Sequence, residues 1–349
     1  MDRLRFGIVG CGDFSKNFGG YLMEVADIVA LCDVNAQSIA ALSEHHRLDV
    51  PHYTEYRKMI SEVGMDAVAV TAGNYVHCEV TCAAAAAGLH VYCEKAMARN
   101  VSECWQMVRT AKDNSVKLMV GHKRRLRPPW ARMIELTDDA LLGAPRAITV
   151  TQYADMRPYN YQGTWWTRKQ LGGGPWHLFG VHVIDWFRGM CGDAKIVTAL
   201  AGPKQDRIYE YPDINHVTFQ FRNSALASIS SSMMYPLHKF RESQGPWGQC
   251  RNGGFKLVPH MDHIDLYWQR LDEDKPQHER FDDLGFDVAY RLEIGDFVRW
   301  ITEGHKPCLT WVEGLRCVEM MEAAERSAQN GGKPVELPLY PELEPETQS

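Results

Sequence analysis

The chain has 349 residues, 45% of them hydrophobic and 23% charged, with a formal net charge of -6. That length suits two domains of ordinary size, and the mildly acidic balance supplies no positive field for a phosphate backbone or an anionic lipid surface, so nucleic acid is not an expected partner. No window approaches the roughly 18 consecutive apolar residues of a membrane span. Met1-Asp2-Arg3-Leu4-Arg5 runs straight into a short apolar segment without a signal-peptide core, and the 10 cysteines contain no Cys-x-x-Cys pair. They read as small buried residues in a reducing compartment, so the expected location is cytoplasmic.

In chain order, short apolar runs at 4–9, 28–32, 67–71, 90–93 and 117–120 alternate with amphipathic helical stretches at 15–25, 36–46, 76–87 and 101–114. Repeated strand-helix units demand a parallel sheet with right-handed crossovers, which predicts a Rossmann domain over residues 1–122. Beyond it the pattern changes. The runs 147–154, 216–221 and 225–233 alternate apolar and polar residues, as strands with one covered face do, and predict a second, α+β domain over 123–349. The stretch 235–259, rich in Gly, Pro and Trp, reads as a long loop. A last helix, 311–329, ends at Asn330-Gly331-Gly332 and is placed to pack back toward the first domain; the tail 342–349 is polar and reads as frayed.

Gly7-Ile8-Val9-Gly10-Cys11-Gly12-Asp13-Phe14-Ser15 turns a strand sharply into a helix. Gly10 permits the tight turn, and Gly12 lets a pyrophosphate approach the backbone at the helix N-terminus, where Asp13 and Phe14 join the expected contacts. Ser15 stands where a third glycine would be. Asp33 closes the second strand, where an acidic side chain accepts from both ribose hydroxyls and repels a 2'-phosphate; this favours NAD over NADP.

Val91-Tyr92-Cys93-Glu94-Lys95-Ala96, followed by Glu103, resembles the strand and Glu-Lys-Pro loop of the glucose-fructose oxidoreductase / inositol dehydrogenase / rhizopine-catabolism (Gfo/Idh/MocA) family. Asn74-Tyr75-Val76-His77, Ala87-Gly88-Leu89-His90-Val91, Gly172-Gly173-Gly174 leading to Gly180-Val181-His182 and Asp185, and Glu313-Gly314-Leu315-Arg316 to Ser327-Ala328 follow in the family's order. The resemblance spans roughly residues 4 to 340. It implies a Rossmann domain, a C-terminal domain with an open-faced, mixed, largely antiparallel sheet, a homodimer or homotetramer, and NAD(P)-dependent chemistry on a sugar or polyol. It adds Asn74, His77, Glu94 and Lys95 to the cofactor contacts, and maps the family's catalytic lysine and histidine onto Lys95 and His182. Those roles are chemically sensible. A hydride leaves a carbinol carbon only if a base takes the hydroxyl proton, which an imidazole can do, while an ammonium holds the oxygen.

Three departures stand out: Ala96 replaces the proline of Glu-Lys-Pro, Gly73 replaces that of Thr-Pro-Asn, and Leu178 stands where the family has an aspartate one helical turn before the histidine. His177, beside Trp176, is a candidate helper. Asp185 reads either as a substrate contact or as an ion-pair partner of Arg188.

Tyr159, Asn160, Tyr161, Trp165, Trp166 and Trp176 crowd polar and aromatic groups together, which suits either a carbohydrate or an aromatic core. His260, Asp262, His263 and Asp265 have metal-ligand chemistry, but on a strand they divide between two faces, so no metal is expected and His260 and His263 are assigned to substrate. Lys123 opens a basic run, Lys123 to Arg127, that reads as a substrate contact or a solvated linker. The reading is an NAD-dependent oxidoreductase acting on CH-OH groups of a sugar, glycoside or inositol-like polyol. Two alternatives stay open: an NAD-dependent glycoside hydrolase or lyase using transient sugar oxidation, and a non-catalytic NAD-binding sensor.

Overall fold

The computed structural model describes residues 3–159, 164–204, 207–235, 245–282 and 285–342. In chain order the elements are β1 (Arg5–Val9), α1 (Asp13–Val25), β2 (Asp27–Cys32), α2 (Ala36–His46), β3 (His52–Tyr53), α3 (Tyr56–Glu62), β4 (Ala67–Val70), α4 (Asn74–Ala86), β5 (His90–Glu94), α5 (Val101–Asp113) and β6 (Leu118–Gly121). There follow α6 (Pro128–Glu135), β7 (Pro145–Tyr153), α7 (Lys169–Gly172), α8 (Gly180–Cys191), β8 (Ala194–Ala201), β9 (Ile214–Phe221) and β10 (Leu226–Ser232). The chain closes with β11 (Trp247–Cys250), β12 (Gly253–Pro259), β13 (Ile264–Arg270), β14 (Gln277–Phe281), α9 (Asp287–Glu303), α10 (Trp311–Gln329) and β15 (Val335–Glu336).

The first sheet has the order β3-β2-β1-β4-β5-β6, all neighbours parallel. Strand order reverses direction between β1 and β4, and such a switch point opens a crevice at the carboxyl ends of the strands. Helices cover both faces, so β4, Ala-Val-Ala-Val, is buried along its whole length. The sequence missed β3 and α3, which are too short to show a period.

The second sheet has nine strands in the order β14-β13-β12-β11-β7-β10-β9-β8-β15. Only β7 and β10 run parallel; the other neighbours are antiparallel. Alternation is clean in β9, where Asn215, Val217, Phe219 and Phe221 are buried between more exposed neighbours. The buried α8, apolar nearly all round, lies against β7 and β10.

Two expectations need correction here. The stretch read as a loop over 235–259 contains β11 and β12; residues 236–244 lie outside the described residues. Its glycines are packing features. A Cβ on Gly248 would sit 2.2 Å from the Phe255 ring, and one on Gly253 would sit 2.1 Å from the Gln269 carbonyl. The second correction concerns the single boundary after 122. The chain forms two compact units, one of Met1–Lys123, Gln170–Gly173 and Asp287–Val318, the other of Arg124–Lys169, Gly174–Phe286 and Glu319–Ser349. The late segment belongs to the first unit because α9 packs on α1 and reaches β1: Tyr290 stacks on Tyr21 of α1 at 5.0 Å and Phe297 meets Phe6 of β1 edge-on at 6.1 Å.

Candidate active site

In the first unit, Gly10 adopts φ +100°, and a Cβ there would lie 2.4 Å from the Ala72 nitrogen, so glycine is required. Gly12 is the N-cap of α1, and the space where its Cβ would be is clear to 4 Å. Asp13 is exposed and paired with Lys16 at 2.9 Å; Phe14 is half-buried. Ser15 explains its own place in the motif: its hydroxyl donates to the Gly10 carbonyl and lies 3.0 Å from the Thr71 hydroxyl, which itself donates to Gly10 O at 2.7 Å. The two side chains hold the turn against β4. At the end of β2, Asp33 accepts from the Cys11 N–H through Oδ2 and from the Asn35 N–H through Oδ1, each at 2.8 Å. Both oxygens keep lone pairs for a diol, so the residues present fit the adenosine end of NAD.

Asn74 opens α4 and is buried; its amide donates to Gly172 O at 2.8 Å. His77 is fully buried, with Nδ1 at 2.9 Å from Ala96 O and Nε2 at 3.0 Å from Ala72 O. It joins the loops after β4 and β5. Its ring therefore positions the backbone of both loops. Burial pulls its pKa down, against those two carbonyls.

Glu94 and Lys123 pair with each other in the interior. Lys123 Nζ lies 3.1 Å from Glu94 Oε1, with both side chains buried, and sits over the rings of Phe14 and Tyr290 at 4.5 and 4.8 Å. Glu94 Oε2 accepts from Lys95 N at 3.2 Å, and the Tyr92 hydroxyl reaches both Glu94 Oε1 and Glu293 Oε2, at 3.3 and 2.7 Å. Burial alone would lower the Lys123 ammonium; Glu94, Tyr290 and Glu293 outweigh it and hold the pKa above its ordinary value. Lys123 is thus an internal cation and not a solvated linker residue. Lys95, by contrast, is half-exposed at the carboxyl end of β5, and its peptide bond to Ala96 is cis.

In the second unit, Trp176, His177 and Leu178 lie in the turn before α8, so Leu178 is not on the helix of His182 as expected. Leu178 packs on Met156, Tyr209, Tyr211 and Met233, surroundings that suit leucine and not a carboxylate. His177 and His182 are both buried. Asp185 is fully buried and gripped by Arg125, whose Nε donates to Oδ2 at 2.8 Å and whose Nη2 reaches Oδ1 and, at 2.9 Å, the Asp185 carbonyl. Arg188 pairs with Asp193 at 2.7 Å. Asp185 thus anchors α8 through Arg125.

Trp176 lines a cavity of ≈ 250 Å³ with Lys169, Tyr211, Asn215 and Glu325; neither His177 nor His182 reaches it. Trp165 and Trp166 meet edge to face at 5.7 Å, and Trp166 O accepts from Tyr211. The side chain of Tyr159 and residues 160 and 161 lie outside the described residues. His260 and His263 occupy the turn between β12 and β13, where His260 N donates to His263 O at 2.8 Å. They converge on Asp265, because a turn is not bound by the two-face rule of a strand.

Fold and cofactor cradle together define an NAD-dependent oxidoreductase. Residues 4–122 match the family model described as oxidoreductase family, NAD-binding Rossmann fold, and residues 130–247 match the GFO/IDH/MocA C-terminal domain. The chain belongs to the Gfo/Idh/MocA family. It is 36% identical over 337 residues to a 2,7-anhydro-N-acetylneuraminate hydratase of Mediterraneibacter gnavus, covering 92% of this chain and 85% of the relative. It is 22% identical to an inositol 2-dehydrogenase/D-chiro-inositol 3-dehydrogenase of Lactiplantibacillus plantarum, covering 94% and 92%. Among solved structures, a levoglucosan dehydrogenase in complex with NADH and levoglucosan has a TM-score of 0.84 at 20% identity, covering 96% of this chain and 99% of that one. No helix among the described residues is long and apolar enough to cross a membrane.

Proposed function

We propose that the chain moves a hydride between NAD and a secondary alcohol carbon of a sugar, glycoside or inositol-like polyol. The observation that supports this best is the position of Lys95. It follows β5 at the carboxyl edge of the parallel sheet, on the same edge as the glycine turn after β1 and Asn74 after β4, beside the switch point. NAD, held by the Gly10–Gly12 turn and Asp33, supplies the hydride acceptor. The Lys95 ammonium binds the reacting oxygen and stabilises it as the proton leaves; the Lys123–Glu94 pair keeps its backbone in place. The proton is assigned to an imidazole, His182 or His177, which takes it and returns it in the reverse direction. The enzyme is read as a cytoplasmic homodimer or homotetramer.

The 36% identity to the hydratase over nearly the whole chain favours a second reading of the same site. Oxidation is then temporary. The carbonyl acidifies the neighbouring C–H, a base removes that proton as the β C–O bond of an anhydro ring breaks, the freed oxygen is protonated, water adds, and the hydride returns. Such a cycle needs two proton-handling groups, and His177 and His182 provide two. Incubation with myo-inositol, aldoses, aryl glycosides and an anhydro-sialic acid in D2O, following NADH absorbance and product by NMR, separates the readings. NADH equal to product means a dehydrogenase. Product without NADH, carrying solvent deuterium, means the redox-neutral cycle. Turnover that survives both Lys95→Ala and His182→Ala overturns both.

A further inference from the structure

We propose that the β12–β13 turn and the start of β13 form a site for a divalent transition-metal ion such as zinc, with His260 Nε2, His263 Nε2 and Asp265 Oδ2 as ligands. These three atoms lie within 4.8 Å of one another. The distances from Asp265 Oδ2 are 3.1 Å to His260 Nε2 and 3.4 Å to His263 Nε2. Zinc binds nitrogen and carboxylate oxygen at about 2.0–2.1 Å, so two ligands of a tetrahedral ion stand about 3.3 Å apart. The spacing already matches one edge and then another of that tetrahedron.

The surrounding groups have the arrangement that supports a metal. His263 Nδ1 lies 2.7 Å from Asp262 Oδ1, so a carboxylate fixes the ring with Nε2 turned toward Asp265. His278, on β14, places Nε2 at 2.8 Å from the other oxygen, Asp265 Oδ1, and stacks on Tyr267 at 4.7 Å, which fixes the carboxylate in turn. The rings of His260 and His263 are nearly parallel, 13° apart in plane, with centroids at 4.3 Å. Converging on an ion requires a tilt about the Cβ–Cγ bonds, a broad torsion with little resistance.

Asp262 and Asp265 are the carboxylates of the site, and imidazole nitrogens hold both: His263 Nδ1 lies on Asp262, and His260, His263 and His278 lie on Asp265. Nearby, Arg280 and Asp282 neutralise each other at 2.7 Å. Three protein ligands leave a fourth position for water. The ion would pin the hairpin turn to β13.

The test uses the full chain without a histidine tag, stripped with a chelator and titrated with zinc or, for its visible spectrum, cobalt(II). The expected result is one ion per chain, a tetrahedral-type cobalt spectrum, and a melting temperature raised by zinc. His263→Ala and Asp265→Asn should lose at least 100-fold in affinity and the zinc-dependent shift. His278→Ala should lose about 10–100-fold, as second-sphere partners do. Less than one ion per chain in the unaltered protein, or unchanged affinity in a folded His263→Ala or His263→Gln, overturns the proposal.

Discussion

Each of the two units buries an ion pair, and the cations stand only two positions apart in sequence: Lys123 serves the first unit and Arg125 the second. The designs differ. Lys123 is a point charge set among Glu94, Glu293, Tyr92 and two aromatic rings, a network in which Glu94 also holds the Lys95 N–H. Arg125 is a planar fork closed on one carboxylate and one carbonyl of α8. A lysine tolerates redistribution among neighbours, whereas the guanidinium geometry is specific to its partner. The network beside Lys95 is built to adjust; the clamp on α8 is built to hold.

Removing the fork tests that contrast most severely. Arg125→Ala leaves a fully buried carboxylate without the guanidinium and should cost about 3–5 kcal/mol in urea unfolding. Lys123→Met should cost less, about 1–3 kcal/mol, because Glu94 keeps Tyr92 and the Lys95 N–H as donors. Equal losses would erase the distinction. Next in size, Leu178→Asp places the family's carboxylate among Met156, Tyr209, Tyr211 and Met233 and should destabilise by about 1–3 kcal/mol without raising turnover. A gain in activity would show that the second unit can still accept the acid there. The smallest effect is expected from Ser15→Gly, which restores the usual third glycine but removes the hydroxyl that braces Gly10 against β4. A loss of about 1 kcal/mol in thermal or urea unfolding is the predicted outcome, and a gain would show the brace to be unnecessary.

The same contrast separates what the sequence made legible from what it hid. Strands of the parallel sheet are buried on both faces, so Ala67–Val70 reads directly as a strand, and the glycine turn with Asp33 announces a dinucleotide cradle. In the nine-stranded sheet, β9 alternates clearly, but β11 and β12 are disguised by glycines that bring side chains and backbones close, and β14, Gln-His-Glu-Arg-Phe, is almost wholly polar. At the site, residue type was legible and direction was not. His77, Glu94, Lys123 and Asp185 all carry polar chemistry, and each turns inward to a partner that lies 19 to 60 residues away along the chain. Such pairings leave no local pattern. Conversely, the turn at His260 escaped because strand alternation was carried through residues 260–263, which form the turn between β12 and β13.

The segmentation of the first unit has a consequence for synthesis. Chains are made from the N-terminus and domains begin to fold as they emerge, yet the parallel sheet, finished at β6, receives α9 only after nearly the whole second unit has been translated. Until then Tyr92 lacks Glu293, Phe6 lacks Phe297, and the Lys123 cation has one aromatic wall instead of two. A nascent chain halted after β6 would carry an exposed apolar flank on α1. The dinucleotide cradle, first to leave the ribosome, is among the last parts of this protein to be completed.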